Sequence, residues 1–447
     1  VLRFGTDGIR GVANTEVTPE LALALGRAAA LHLAGSPWLL GRDTRRSGPM
    51  LLDALAAGLA SEGLDVVDVG VIPTPGLAWL ASDRGLPAAM VSASHNPFAD
   101  NGIKLFGRGG AKLSLADESA VQDELERLTD VAPSAGNGPG RTAQVGTIVT
   151  DPLAVDGYVA HLVNVVAGAG RFRGKVVADC ANGAACLVAP RVLERLGIDH
   201  SVISGAPDGV NINAGCGSTH LDSLVAEVRS SGAALGIAFD GDADRILAVD
   251  HLGNVVDGDQ LIAMFAADLH DRGQLAGDHV VVTVLSNLGL RSALTARGVS
   301  VTVTPVGDRH VADALESGGF VLGGEQSGHL IFREHAATGD GMLTALKLLD
   351  LLARSESSLA DLAASAMRRL PQSMVNVPVR DRTMLERASA VWAEVSAVEA
   401  ELGETGRVVL RPSGTEPAVR VMVEAPTTDE VDRYVQRLAA VVARELA

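Results

Sequence analysis

Short β-branched runs alternate with longer stretches of helical period over most of this chain. The clearest helix start is "TPELALALGRAAALHLAG", where Thr18 can cap, Pro19 takes the first helical position and Gly35 closes the pattern. "LDVVDVG" (64–70), "KVVADC" (175–180), "ALGIAFD" (234–240) and "HVVVTVLS" (279–286) are compact apolar runs bounded by turn residues. Each gives way to a loop and then to a helical pattern. This alternation predicts α/β domains on mixed, mainly parallel sheets, with ligands beyond the carboxyl ends of the strands. The end of the chain differs. "GRVVL" and "AVRVMVEA" predict two strands around a tight loop, and "TTDEVDRYVQRLAAVVAREL" a capped amphipathic helix, together a smaller α+β unit. No close sequence repeat is visible, although the first three segments could share an architecture.

The chain has 447 residues, which at about 100–200 residues per domain suggests three or four domains. "VAPSAGNGPGRTAQVG" (131–146) and the region of "RRLPQS" (368–373) read as joints, and a third boundary falls near residue 252. The expected division is 1–150, 151–252, 253–368 and 369–447. A formal net charge of -17 argues against a general nucleic-acid binder. A small anionic substrate stays possible, because a few clustered Arg and Lys can focus positive potential in one cleft. Cys180, Cys186 and Cys216 are odd in number and form no CxxC pair, which disfavours a disulfide framework. Arg27 interrupts the Ala/Leu-rich stretch that comes nearest to a membrane span, and residues 1–11 lack a signal-peptide pattern. The expected location is the cytoplasm, without a membrane partner.

Four loops could carry chemistry. "VSASHNPFADNGIK" (91–104) ends an apolar run with two serines beside His95 and closes at Lys104; serine becomes a nucleophile only when a neighbour activates it, and a plain Asn-Pro turn explains the same residues. "AFDGDADR" sets Asp240, Asp242 and Asp244 at a spacing of two. Three carboxylates so close repel unless a cation sits among them, and oxygen-only ligands suit a hard ion such as Mg²⁺. An aspartyl nucleophile or a solvated acidic loop are the alternatives. An EF-hand is excluded, since Arg245 and His251 stand where that loop needs Gly and Glu. "LRPSGTEPAVRV" flanks Ser413, Gly414 and Thr415 with Arg411 and Arg420, the hydroxyls, free N–H groups and guanidinium forks that a phosphate requires; a hairpin turn is the competing reading. In "GGEQSGH", Glu325, Ser327 and His329 alternate, so an extended segment would turn them one way, toward sugar hydroxyls; a Gly-rich turn fits as well. "TPVGDRH" adds Asp308, Arg309 and His310. The arginines of "FGTDGIRG" and "GRDTRRSG" (Arg10, Arg42, Arg45, Arg46) suit an anion pocket, but for the second cluster a solvated face is the simpler expectation.

These motifs, in this order from Phe4 to Glu424, resemble the α-D-phosphohexomutase superfamily. Finer stretches ("FGTDGIRG", "NINAGCGSTH", "VTVLSNLGL", "TPVGDRHV", "RPSGTEPAVRVMVE") resemble its glucosamine branch. Gln326 and Asp308 stand where glucose/mannose relatives tend to have Met and His, which points away from that branch. The resemblance implies three related α/β domains and a smaller C-terminal one around a central cleft. It makes Ser94 the phosphorylated serine, and Asp240, Asp242 and Asp244, with Ser94, the ligands of one Mg²⁺ per chain. Arg10 and Arg245 would support the transferring phosphoryl group, and Lys104, ahead of His95, would handle the proton. Glu325, Ser327, His329, Asp308 and Arg309 would meet the sugar, while Arg411, Ser413, Gly414, Thr415 and Arg420 would grip the other phosphate. The implied reaction interconverts glucosamine 6-phosphate and glucosamine 1-phosphate for UDP-N-acetylglucosamine and cell-wall synthesis. Glucosamine or glucose 1,6-bisphosphate would be the activator, and the enzyme a monomer or homodimer.

Overall fold

The computed structural model describes residues 2–5, 7–130, 145–413 and 417–446. Most of the joint expected at 131–146 therefore lies outside the described residues.

Eighteen strands among the described residues form four sheets. The first holds β1 (Ile9–Val12), β2 (Trp38–Arg42), β3 (Val66–Val71), β4 (Ala88–Val91), β5 (Asp100–Phe106) and β6 (Ile148–Thr150), in the order β1-β5-β4-β2-β3-β6. The second holds β7 (Val176–Asp179), β8 (His200–Ile203), β9 (Leu235–Phe239), β10 (Ile246–Asp250) and β11 (Val255–Val256), in the order β11-β10-β9-β7-β8. The third is β13-β12-β14-β15, from β12 (His279–Thr283), β13 (Ser300–Thr304), β14 (Leu322–Gly324) and β15 (Leu330–Phe332). The fourth, β16-β18-β17, is wholly antiparallel and comprises β16 (Gln372–Pro378), β17 (Arg407–Pro412) and β18 (Ala418–Glu424).

The first three sheets repeat one plan. A parallel trio, β4-β2-β3, β9-β7-β8 or β14-β12-β13, is followed by a strand that returns antiparallel beside the last-formed member. Those returns are β5, β10 and β15. The sheets are thus mixed, and the shared architecture that the sequence allowed is real, though no residue repeat betrays it.

Local signals explain most element ends. The first helix runs Pro19–His32, with Thr18 Oγ1 accepting the Leu21 N–H at 3.2 Å. It stops short of Gly35 because Leu33 is already extended. Helix Gly258–Asp271 starts on a capping box between Asp257 and Gln260. The last helix, Thr428–Leu446, starts on a reciprocal pair between Thr427 and Glu430 and buries Val431, Tyr434, Val435, Leu438 and Val442 along one stripe. Helix Gly341–Ser355 is buried on most of its surface and packs against both β10 and helix Gly258–Asp271. One apolar core therefore runs through the second and third sheets, whereas the first and fourth have their own. Among the described residues no helix is long and apolar enough to cross a membrane.

Candidate active site

The repeated plan decides where chemistry collects. Each return strand is joined to its trio by a short loop, and those loops are 92–99, 240–245 and 325–329. Their tips meet. Ser94 Oγ donates to Asp240 Oδ2 at 2.5 Å, and the Ile246 N–H donates to the Gly328 carbonyl at 3.0 Å. Gly328 has φ +92°, and a Cβ there would stand 2.0 Å from the Ile246 carbonyl oxygen. Gly328→Ala is expected to lower stability by about 2–4 kcal/mol, from backbone strain plus overpacking, measured as the shift in denaturant midpoint.

Ser94 is fully buried and sits at φ +51°, a left-handed conformation costly for a residue with a side chain. The surroundings impose it. Its N–H donates to Ser92 Oγ at 3.0 Å, and Ser92 Oγ donates to Asp43 Oδ2 at 2.7 Å. Asp43 also receives Arg45 Nε at 2.9 Å. The rest of the Arg45 fork is spent on carbonyls of the serine loop and of the first residue of β5: Ser94 at 2.9 Å, Asn96 at 2.8 Å, Pro97, and Asp100 at 2.9 Å. Asn213 Nδ2 closes the cradle on Ser94 and Asn96 from the second unit. The solvated face expected for "GRDTRRSG" is thus corrected: Arg46 is exposed, but Arg45 is 1% exposed and organises the serine loop. No sequence signal marked it beyond an Asp-x-Arg spacing at a strand end.

Asp240, Asp242 and Asp244 are buried, and each offers an oxygen within 4.8 Å of the others. Asp242 Oδ1 and Asp244 Oδ1 are buried without a hydrogen-bond partner. Orphaned carboxylate oxygens of this kind, converging beside a hydroxyl, fit a hard divalent cation. Burial, then the charges of Asp244 and Asp242, push the Asp240 carboxyl well above its usual range. For Asp244 burial acts the same way, but Lys104, His329 and Arg245 outweigh it and hold it low. Thr74 Oγ1 orients Asp242 at 2.6 Å.

Lys104 Nζ lies 3.1 Å from Asp242, 3.1 Å from Asp7 and 3.6 Å from Asp244. Burial works against its charge, but these carboxylates prevail and raise its pKa above the ordinary lysine range. The surrounding carboxylates thus favour its charged, ammonium form. His95 Nδ1 lies 3.4 Å from Ser94 Oγ, and burial, with the charges of Arg245 and Arg10, lowers its pKa to about 4. It is a neutral imidazole at neutral pH.

The 325–329 loop is a turn, not the extended segment that alternation suggested, because the Gly328 N–H closes onto the Glu325 carbonyl at 3.0 Å. Glu325 and Ser327 stay together, 3.2 Å apart, with Glu325 also accepting the Gly307 N–H at 3.1 Å. His329 turns inward instead. Its Nε2 accepts the Gly339 N–H at 3.0 Å, leaving Nδ1 to face Asp244 at 3.8 Å. Asp308 is bound to Lys112 at 2.5 Å, and Arg309 to Glu118 at 2.7 Å; both bonds cross to the first unit. Arg411 and Arg420 face each other in the β17–β18 register, partly buried. Burial, then Arg420, then lower the Arg411 pKa, with Glu325 opposing, so the third and fourth tips lie within electrostatic reach. Nε of Arg10, Arg245, Arg411 and Arg420 has no hydrogen-bond partner among the described residues. Ser413 is buried; Gly414 and Thr415 lie outside the described residues. A cavity of about 680 Å³ is lined by Trp79, His161, Lys112, Asp308 and Arg309.

Family models match nearly the whole chain: phosphoglucomutase/phosphomannomutase alpha/beta/alpha domain I over 1–132, domain II over 156–253, domain III over 257–370 and the C-terminal domain over 374–441. The chain belongs to the phosphoglucomutase/phosphomannomutase family of the α-D-phosphohexomutase superfamily. Within it, the chain is similar to the phosphoglucosamine mutase of Kineococcus radiotolerans, 50% identical with 99% of both chains covered, and that of Moorella thermoacetica, 50% identical with 98% of both covered. Two solved structures share the fold. A phosphoglucomutase/phosphomannomutase family protein of Burkholderia thailandensis superposes with a TM-score of 0.80 at 24% identity, covering 98% of this chain and 97% of that one. The Aspergillus fumigatus N-acetylphosphoglucosamine mutase, solved with GlcNAc-6P and magnesium, has a TM-score of 0.72 at 20% identity, covering 100% and 96%.

Proposed function

We propose that this chain is an isomerase that interconverts glucosamine 6-phosphate and glucosamine 1-phosphate through a phosphorylated Ser94. The observation that carries the reading is the Ser94 hydroxyl, 2.5 Å from Asp240, at the edge of a three-carboxylate cluster with orphaned oxygens. Similarity along the full chain to phosphoglucosamine mutases supports the choice of sugar. We take the working domains as 1–150, 151–252, 253–368 and 369–447, each contributing one loop.

Glucosamine 6-phosphate presents its 1-hydroxyl to phosphoserine 94. An O1–P bond forms as the P–Oγ bond breaks, giving the 1,6-bisphosphate. The intermediate turns over, the P–O6 bond breaks as P–Oγ re-forms, and O6 takes up a proton. His95, neutral and close to Oγ, accepts and returns the proton, while the Lys104 ammonium orients the phosphoryl oxygens. Arg10 and Arg245 spend their unpartnered N–H groups on the same oxygens. A Mg²⁺ held by Asp240, Asp242, Asp244 and the phosphoserine would neutralise charge on the transferring group. Glu325 and Ser327 hold neighbouring sugar hydroxyls. Arg411, Ser413, Gly414, Thr415 and Arg420 grip the phosphate that is not moving. A trace of glucosamine or glucose 1,6-bisphosphate primes Ser94. Three free cysteines support a reducing, cytoplasmic setting.

Phosphorus NMR of the protein with Mg²⁺, a trace of bisphosphate and glucosamine 6-phosphate tests this. A glucosamine 1-phosphate signal growing much faster than product from glucose or mannose phosphates is expected. Growth of free phosphate instead would make the protein a hydrolase using Asp240.

A further inference from the structure

Asp7 and Lys112 take no part in the reading above, yet they connect its pieces. Lys112, between β5 and helix Leu115–Asp130, sends Nζ to Asp308 Oδ2 at 2.5 Å and to Asp7 Oδ1 at 3.3 Å. The other Asp7 oxygen receives Lys104 Nζ at 3.1 Å, and Lys104 reaches Asp242 Oδ2 at 3.1 Å and Asp244 Oδ2 at 3.6 Å. Read along these contacts, charge alternates in sign from Asp308 through Lys112, Asp7 and Lys104 to the pair Asp242 and Asp244. The line begins on the third unit, crosses the first and ends on the second. Arg10 also donates to Asp7.

Lys104 already draws on two carboxylates of the triad, taking their Oδ2 atoms while their Oδ1 atoms are left without a hydrogen-bond partner. What holds Lys104 on its other side therefore matters to the cation. Asp7 draws Lys104 away from Asp242 and Asp244, and Lys112 tempers that pull by sharing Asp7 with it. We infer that Asp7 and Lys112 are positioning residues that set how hard Lys104 presses on Asp242 and Asp244, and thereby tune the affinity of the triad for Mg²⁺. The inference rests on the triad as the metal site; only its kinetic consequence rests on the proposed mutase activity.

The sign of each change is fixed by Coulomb's law. Losing the Asp7 charge lets Lys104 fall back onto the triad and removes a nearby negative charge. Losing the Lys112 charge leaves Asp7 shared by Arg10 and Lys104 alone, so that it pulls harder on Lys104, and removes a positive charge. The test is calorimetric titration of Mg²⁺ into the full chain without substrate. Asp7→Asn is expected to weaken binding about three- to tenfold, and Lys112→Met to tighten it about as much, with Lys112→Arg close to wild type. Asp308→Asn, at the far end, leaves Lys112 to bear on Asp7 alone and weakens binding by about twofold. Damage to the fold would move Asp7→Asn and Lys112→Met together. Shifts of the same sign, or no shift in either, overturn the inference. If Lys112→Met does not fold, Asp7→Asn and Asp308→Asn still decide, since both must weaken binding. The mutase assay is run on the same preparations. A wild type that binds Mg²⁺ but turns over no hexose phosphate would sink the proposed activity and leave the titration to judge this inference. If turnover is present, Asp7→Asn raises the Mg²⁺ needed for half-maximal rate while the KM for sugar phosphate stays within about twofold.

Discussion

Turnover by Ser94→Ala falls by about four orders of magnitude or more, because the covalent carrier of the phosphoryl group is lost rather than weakened. Among the described residues no other hydroxyl donates to Asp240: Ser92 is committed to Asp43, and Thr74 donates to Asp242. The substitution keeps the fold. Alanine at φ +51° carries the same backbone strain as serine, and the Arg45 and Asn213 bonds go to the main-chain carbonyl, which remains. The variant should therefore match wild type in circular dichroism and thermal unfolding while failing in the phosphorus NMR assay. Its intact mass should lack the phosphate that wild type carries after exposure to the bisphosphate. A rate above about one hundredth of wild type would remove Ser94 from the mechanism.

Arg45→Met is the counterpart, an effect on the fold that reaches the chemistry. Asp43 and Arg45 are a fully buried ion pair, and removing one partner of such a pair costs about 3–5 kcal/mol because the other charge is left stranded. Four carbonyls, those of Ser94, Asn96, Pro97 and Asp100, each lose a donor at the same time, with Asn213 still reaching Ser94 and Asn96. Denaturant unfolding reads the loss in stability. The kcat/KM reads a second loss of about a hundredfold, from a nucleophile no longer held in place. Arg45→Lys should recover little, since an ammonium cannot reproduce a planar fork that reaches one carboxylate and four carbonyls. A stability change below about 1 kcal/mol would show that the serine loop is held by something else.

How much of this was legible in the sequence depends on how local the signal is. The serine and aspartate loops are contiguous, so the two serines and the three aspartates stand out by inspection, but only the family resemblance separates Ser94 from Ser92. Four strands of the parallel trios, β3, β7, β9 and β12, announced themselves as apolar runs with turn residues at each end. Arg45 could not be read, because its partners include carbonyls 49 to 55 residues away, and a carbonyl has no letter in a sequence. Asp7 and Lys112 were invisible for a related reason: neither has a sequence neighbour that hints at the other, and the fold alone brings them together. The return strands β5, β10 and β15 were hidden too. Buried on both faces for most of their length, they lack the alternation that marks an antiparallel edge. His329 shows the opposite failure. Its alternation with Glu325 and Ser327 was genuine in the sequence, but the glycine before it turned the loop and sent the ring inward.

The common plan of the three sheets bears on how such a centre can work as a moving part. Each reactive tip hangs from the same corner of its own frame, and each frame is stiffened by a parallel trio. A tip therefore behaves like the end of a rigid arm. If a frame pivots, its tip sweeps through an arc without any change in its own internal bonds, and only the gaps between tips open or narrow. Such a pivot would change the spacing among the loops 92–99, 240–245 and 325–329 while leaving each of them undistorted. The second and third frames share one core, whereas the first and the fourth keep cores of their own and meet the others through polar contacts.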